Sequence, residues 1–261
     1  MAKVVKDKVD DDFEKHMHDG HRARMLSTVN EVGLDHLSSI QILEFILFYV
    51  FPRGDVNPLA HRLLARYETV SAALDAPVED LIKIKGMGIA SAKKFRSLLH
   101  IFDYYFLDKI NQNSSMSNLG DFLDNVEILL RPKNTETCYI FGIYPSGEIS
   151  HGRIFAKGDA EGVAFDATDI SSYLATYKVR GLLFVHNHPS GTCFPSRQDK
   201  QMNAQIEDFA RYCGVKVYDS YIIGNDGIFS CKLNKLKRHF SQDFESLTQS
   251  EIHKLSQEKQ E

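Results

Sequence analysis

The sequence predicts an α/β protein in two parts: an all-α N-terminal domain, then a C-terminal sandwich of helices around a mixed sheet. Three observations carry this. From about Phe13 to Phe106, apolar residues recur at helical spacing and strand-like alternation is missing. Residues 111–118, NQNSSMSN, are small, polar and without period. Beyond them the elements read β-β-α-β-α-β-β, the order of a sheet with crossover helices. The expected division is a helical domain over 13–108, a linker over 109–118, an α/β domain over 119–232 and a charged tail over 233–261.

Each element has its own signal. HLSSIQILEFILFYVF has helical spacing, with Ser38 or Ser39 as a cap, and Pro52, Gly54 and Asp55 end it. NPLAHRLLARY follows, with Asn57 as the expected cap and Pro58 in the first turn. APVEDLIKI is a further short helix. Leu119 to Leu130 is amphipathic. TETCYIFGIY and EISHGRIFA flank Pro145-Ser146-Gly147, a hairpin signal. DATDISSYLATYKV is a helix with Asp166 or Asp169 near its cap, and LLFV reads as a buried strand. SRQDKQMNAQIEDFARYC is a helix with Gly214 beyond it. VKVYDSYIIG and IFSC flank Asn225-Asp226-Gly227, a second hairpin signal. The charged residues from about Lys232 read as a solvated tail, and those before Phe13 as frayed.

Composition narrows the class. Hydrophobic residues are 43% and charged residues 25%, the mix of a globular chain able to bury a core. The formal net charge of −4 excludes a polycation, so any nucleic-acid contact needs a local basic patch. Cys138, Cys193, Cys213 and Cys231 form no CxxC pair, which argues against a zinc ribbon or a disulfide scaffold and for reduced thiols in the cytoplasm. The charged N-terminus lacks the apolar region of a signal peptide. The apolar run Ile40 to Phe51 contains Glu44 and is too short to span a bilayer, so no membrane partner is expected.

The chemistry concentrates in VHNHPSGTCFPSRQD, residues 185–199. His186 and His188 follow a buried strand, and side chains at i and i+2 share a face, so both imidazoles can reach one ion. After seven intervening residues His188 is followed by Ser196, where the next helix begins, and Asp199 falls in its first turn. Two imidazoles and a carboxylate make the three-ligand set of a catalytic zinc site, with a fourth position for water. The plainer reading is a loop followed by a capped helix, since Ser-x-x-Asp resembles a capping box. Position 188 is His rather than Glu, which with the missing CxxC excludes a zinc deaminase. The letters His-Asn-His are not the dispersed residues of a ββα nuclease finger. Cys193 is a lone loop thiol near His188, and incidental placement suits it better than a nucleophile's role.

His-x-His, seven residues, then Ser-x-x-Asp resembles the JAMM (MPN-plus) metalloprotease motif. The fuller string HNHPSG with Pro195-Ser196 and Asp199 resembles the RadC family of bacteria and their mobile elements. GHRARM from Gly20, NPLAHRLLARY from Asn57 and YIIG from Tyr221 extend the resemblance over most of residues 18–231. It implies a cytidine deaminase-like JAMM fold, Zn2+ on His186, His188 and Asp199, and hydrolysis of a peptide or isopeptide bond in a protein or peptide substrate. It further implies a glutamate just before the first strand, matched by Glu136, as general base. Glu148, after a turn, and Glu161, in a Gly-flanked loop, match less well. Ser196 would steady the tetrahedral oxyanion. The chain departs from the family where Asp166 to Ile170 replace a Pro-Arg-Glu-Ile stretch, and where Ser220 stands in place of a His. Neither place is a metal ligand, so substrate inference is affected rather than metal binding.

A second signal is LIKIKGMGIASAKKF, residues 81–95, which resembles a helix-hairpin-helix motif that grips a DNA backbone. Gly86 and Gly88 would let the backbone approach a phosphate, with the next helix N-terminus aimed at it. Lys85, Lys93 and Lys94 surround the turn, with Lys83 and Arg96 nearby. Packing glycines with solvated lysines is the structural alternative. Two other functions stay open beside the hydrolase: a DNA-binding accessory protein of repair, recombination or mobile elements, and a metal-dependent nuclease using the same site.

Overall fold

The computed structural model describes residues 20–157, 166–189, 191–239 and 244–246. The expectations for residues 1–19, Glu161 and most of the tail lie outside these. The chain divides into two compact units at Phe102/Asp103, inside a helix and earlier than the expected boundary at 108.

The first unit is helical through its described residues: α1 (His21–Val32), α2 (Ser39–Val50), α3 (Asn57–Tyr67), α4 (Val70–Asp75), α5 (Val78–Leu81) and the start of α6 (Ile89–Asn113). Ser38 caps α2 in a capping box with Gln41. Val56, rather than Asn57, is the cap residue of α3, and the Asn57 amide donates to Asp55 Oδ1 at 2.8 Å. Leu43 with Leu47 and Leu59 with Leu63 sit at i and i+4, so each pair lies on one helix face. Those faces join Ala73, Leu81, Met87 and Phe95 in one core.

The second unit holds a sheet ordered β1-β3-β2-β4-β5-β6-β7-β8. Its strands are β1 (Ser114–Ser115), β2 (Thr137–Ile143), β3 (Glu148–Lys157), β4 (Gly181–Asn187), β5 (Lys216–Ile223), β6 (Ile228–Ser230), β7 (Lys235–Lys237) and β8 (Phe244–Ser246). Among the described residues only β4 and β5 pair in parallel; the other pairs are antiparallel. The helices are α7 (Leu119–Leu130), α8 (Ala167–Tyr177, capped by Asp166) and α9 (Arg197–Tyr212, capped by Ser196). Strand parity sorts the core. Tyr139, Phe141, Leu183, Val185, Tyr221 and Ile223 pack with Phe122 and Val126 of α7. Cys138, Ile140, Leu182 and Phe184 pack with Ile170 and Tyr173 of α8 and Met202 and Ile206 of α9. Both faces are covered, which is why the central strands are apolar runs instead of alternating ones.

Two expectations are corrected here. Residues 109–118 are not a linker: α6 continues to Asn113, Ser114–Ser115 pairs with β3, and Met116–Asn118 is a 3-10 turn. One of the polar side chains that suggest a loop instead ties the end of α6 to β3 within the second unit: Asn111 Oδ1 accepts from the Gly152 amide at 2.8 Å. The tail does not begin at 233 either. Leu236 of β7 is buried opposite Phe229, and the buried Lys237 ammonium pairs with Asp124 of α7. A lysine-flanked strand three residues long carries no readable period.

Candidate metal centre

His186 is the last even-numbered residue of β4, so its ring continues the face of Leu182 and Phe184 toward α8 and α9. β4 is central, held by β2 (Cys138 opposite His186) and by β5 (Ile222 opposite His186). The ring is therefore fully buried. α9 starts on this face, and its first turn carries Asp199. The structure brings Glu136, His186, His188 and Asp199 together: one ligand atom from each lies within 4.8 Å of all the others, a group that could hold a metal ion.

The distances are short. His186 Nε2 and His188 Nε2 are 3.2 Å apart. Asp199 Oδ1 lies 3.2 Å from His186 Nε2, and Oδ2 lies 3.3 Å from His188 Nε2. Glu136 Oε1 stands further off, 3.9 Å from His186 Nε2, on a side chain that is partly exposed. Three buried groups thus face one point, and a solvent-accessible carboxylate sits at its edge. His186 Nδ1 is buried without a hydrogen-bond partner. Burial by itself would raise the Asp199 carboxyl. The hydrogen bonds with His186 and His188, the charge on His186 and the Ser196 hydroxyl outweigh burial and hold it well below the usual carboxylate range. Asp199 is therefore an anion facing two imidazoles.

The capping box is present as well. The Ser196 hydroxyl donates to Asp199 Oδ2 at 2.5 Å and accepts from the Asp199 amide at 3.2 Å, while the Ser196 amide donates to Oδ2 at 2.6 Å. Cap and ligand-like geometry therefore coexist in one side chain. Ser196 stands beside the centre with its hydroxyl committed to Asp199.

Asn187 carries a role that the sequence did not suggest. Its side chain is buried between the two histidines in sequence and reaches the segment that bears Glu136. Oδ1 accepts from the Thr137 amide at 2.8 Å, and Nδ2 donates to the Lys133 and Thr135 carbonyls at 3.2 and 3.3 Å. Glu136 is thus pinned on both sides. The only sequence signal was an Asn at a strand end, and Asn there usually serves a turn.

The two buried cysteines, Cys138 and Cys193, are poor nucleophiles. Burial, with the Glu136 and Asp199 charges nearby, pushes the Cys138 thiol up, and burial with Asp226 does the same to Cys193. The other predicted residues lie far along the chain, in the first unit. Gly86 has φ +98° in the turn between α5 and α6, and Lys85, Lys93 and Lys94 are exposed around it. Met87 is buried beneath the turn, and a Cβ on Gly86 would meet Arg62 and Leu59, whereas one on Gly88 would meet open space. Lys83 is paired with Asp80 at 2.6 Å.

Fold and site define a JAB-type α/β domain with a four-residue group that could hold a metal, a domain class related to the JAMM metalloproteases. Residues 115–236 match the family model for the RadC-like JAB domain. A UPF0758 protein of Ruegeria pomeroyi is 28% identical over 204 residues, covering 78% of this chain and 91% of the relative. One of Rhodobacter capsulatus is 27% identical over 74% of this chain and 90% of its own. One of Aliivibrio fischeri is 22% identical, over 76% and 89%. These matches make residues 115–236 similar to the RadC-like JAB domain and most of the chain similar to UPF0758 proteins. Among the described residues no helix is long and apolar enough to cross a membrane.

Proposed function

We propose that the chain is a zinc-dependent hydrolase of the JAMM type, acting on a peptide or isopeptide bond. The observation that carries this is the convergence of His186 Nε2, His188 Nε2 and the Asp199 carboxylate at 3.2–3.3 Å. The donor set fits zinc. Tetrahedral ligands about 2.0–2.1 Å from a centre stand about 3.3–3.4 Å from each other. Without a cation or a shared proton, two facing imidazole lone pairs at this separation would repel. When bound, zinc supplies Lewis acidity that polarises a carbonyl and eases the ionisation of water.

Glu136 accepts the proton that the attacking water loses and returns it to the leaving amine, a role suited to a partly exposed carboxylate at the rim. Asn187 holds that carboxylate in register. Ser196 holds Asp199 Oδ2, which leaves Oδ1 directed at His186. In turnover the same hydroxyl exchanges partners to steady the oxyanion. The test is metal analysis of the purified chain with hydrolysis assays on isopeptide-linked substrates. Wild type holds about one zinc, His186→Ala and Asp199→Ala hold none, and Glu136→Gln keeps zinc but loses hydrolysis. Full zinc in both ligand variants refutes the assignment. DNA cleavage lost with chelator and with Glu136→Gln would move the reading to a nuclease.

A DNA-associated role is a second reading, supported by the exposed Lys85, Lys93 and Lys94 around the Gly86 turn. Backbone binding of this kind is salt-dependent, with a slope of about 0.9 per neutralised phosphate. Removing all three lysines should lower the slope in a duplex and branched DNA titration by roughly 2–3. An unchanged slope rules out the hairpin mode.

A further inference from the structure

His188 lies past the end of β4, so the strand ladder does not hold its ring. Its amide donates to the Ile223 carbonyl at 2.8 Å, and its Nδ1 lies 2.8 Å from the Thr192 carbonyl oxygen. A carbonyl only accepts, so Nδ1 carries the proton and Nε2 keeps its lone pair for the centre. The other end of the same peptide unit is held too. The Cys193 N–H donates to Asp226 Oδ1 at 2.8 Å. A peptide unit is planar, so fixing its N–H fixes the direction of its C=O. Asp226 and His188 therefore grip opposite ends of the Thr192–Cys193 peptide.

The turn that carries Asp226 is built to lie against this peptide. A Cβ on Gly224 would stand 2.2 Å from the Cys193 nitrogen and 2.5 Å from the Thr192 carbonyl carbon, a clash with backbone that cannot give. Only glycine allows this approach. The Asn225 amide donates to the Gly191 carbonyl at 3.0 Å, a second tie between turn and loop. Asp226 follows Ile223, the backbone partner of His188, by three residues, and neither it nor Cys193 is in the four-residue group that could hold a metal.

We infer that Asp226 is a positioning residue: through the Thr192–Cys193 peptide it sets the tautomer and aim of His188. The inference rests on the metal-site reading for its purpose but not for its geometry. The test uses the full chain with Asp226→Ala, Asp226→Asn and, as an isostere lacking an acceptor, Asp226→Leu should the alanine variant fail to fold. Asn retains an oxygen that can accept from Cys193. In metal-free protein, ¹⁵N spectra of the histidine rings should show His188 as the Nδ1–H tautomer in wild type and Asp226→Asn, and a mixture in Asp226→Ala or Asp226→Leu. In competition with a chelator, zinc affinity should fall about 10–100-fold in the variants without an acceptor, and the asparagine variant should recover most of it. The Co2+ absorption spectrum should change in the same order. An unchanged His188 tautomer in a folded variant without an acceptor overturns the inference. A wild type that binds no zinc, with the tautomer still shifting, overturns the metal reading alone.

Discussion

Asn187→Ala should uncouple Glu136 from the rest of the site. The structure gives Asn187 three hydrogen bonds, to the Thr137 amide and the Lys133 and Thr135 carbonyls, in a fully buried position. At about 0.5–1.5 kcal/mol net each, their loss sums to roughly 2–4 kcal/mol. The value falls toward the upper end because the buried Thr137 amide would lose its acceptor. For a domain of this size that is on the order of 10 °C in Tm. Calorimetry measures it. Asn187→Asp separates the two ends of the amide: it keeps the acceptor for Thr137 but turns a third oxygen toward two carbonyls, so it should melt below Asn187→Ala. A shift under about 2 °C for Asn187→Ala, or a stable Asn187→Asp, would refute the staple. In the zinc reading Asn187→Ala also keeps its metal, because His186 and His188 are held by β4 and Thr192 instead.

Other outcomes follow from the second unit. A chain ending at Lys232 loses β7, with its buried Leu236 and Lys237, and should unfold at a clearly lower temperature than the full chain. Lys237→Ala, which leaves Asp124 without its cation, should cost about 2–3 kcal/mol in urea unfolding, the range for a broken buried pair discounted for a partly exposed aspartate. Burial raises the Asp219 carboxyl above the usual value despite hydrogen bonds from Ser230, Lys232 and Ser220. A raised folded pKa means the unfolded chain releases its proton first. Stability attributable to Asp219 therefore falls as pH climbs from about 4 through the folded value, then levels. Asp219→Asn should flatten that slope in unfolding measured between pH 3 and 8, and an unchanged slope would place the titration elsewhere.

Much of this fold was legible in the sequence because the signals were local. Ser38 and Asp166 stand at the helix starts they suggested, and LLFV became the central strand because nothing polar interrupts it. The ligand-like residues were legible because strand parity fixes His186 and the helix start fixes Asp199. What escaped were features made by distant partners. Ser114 and Ser115 look like linker residues until β3 offers an edge. Lys237 looks solvated until Asp124, far back in the chain, is placed against it. Asn187 shows no role of its own in the sequence, because nothing near it there reveals the backbone at 133–137.

Asp199 shows why cap and ligand could not be told apart from spacing, and one substitution separates them. The usual capping box carries Glu or Gln at this position; a longer side chain can still reach back to the Ser196 amide. Aspartate does so with Oδ2 alone, which leaves Oδ1 at 3.2 Å from His186 Nε2. Asp199→Glu should therefore keep the cap, worth about 1 kcal/mol, while the extra methylene displaces the carboxylate from the two rings. In the zinc reading the expected result is a metal-free chain whose α9 remains as protected in hydrogen exchange as that of wild type. Asp199→Ala should lose both properties. If Asp199→Glu retained zinc at full affinity, the 3.2–3.3 Å convergence would not be what holds the ion, and Glu136 would have to be reconsidered as a ligand.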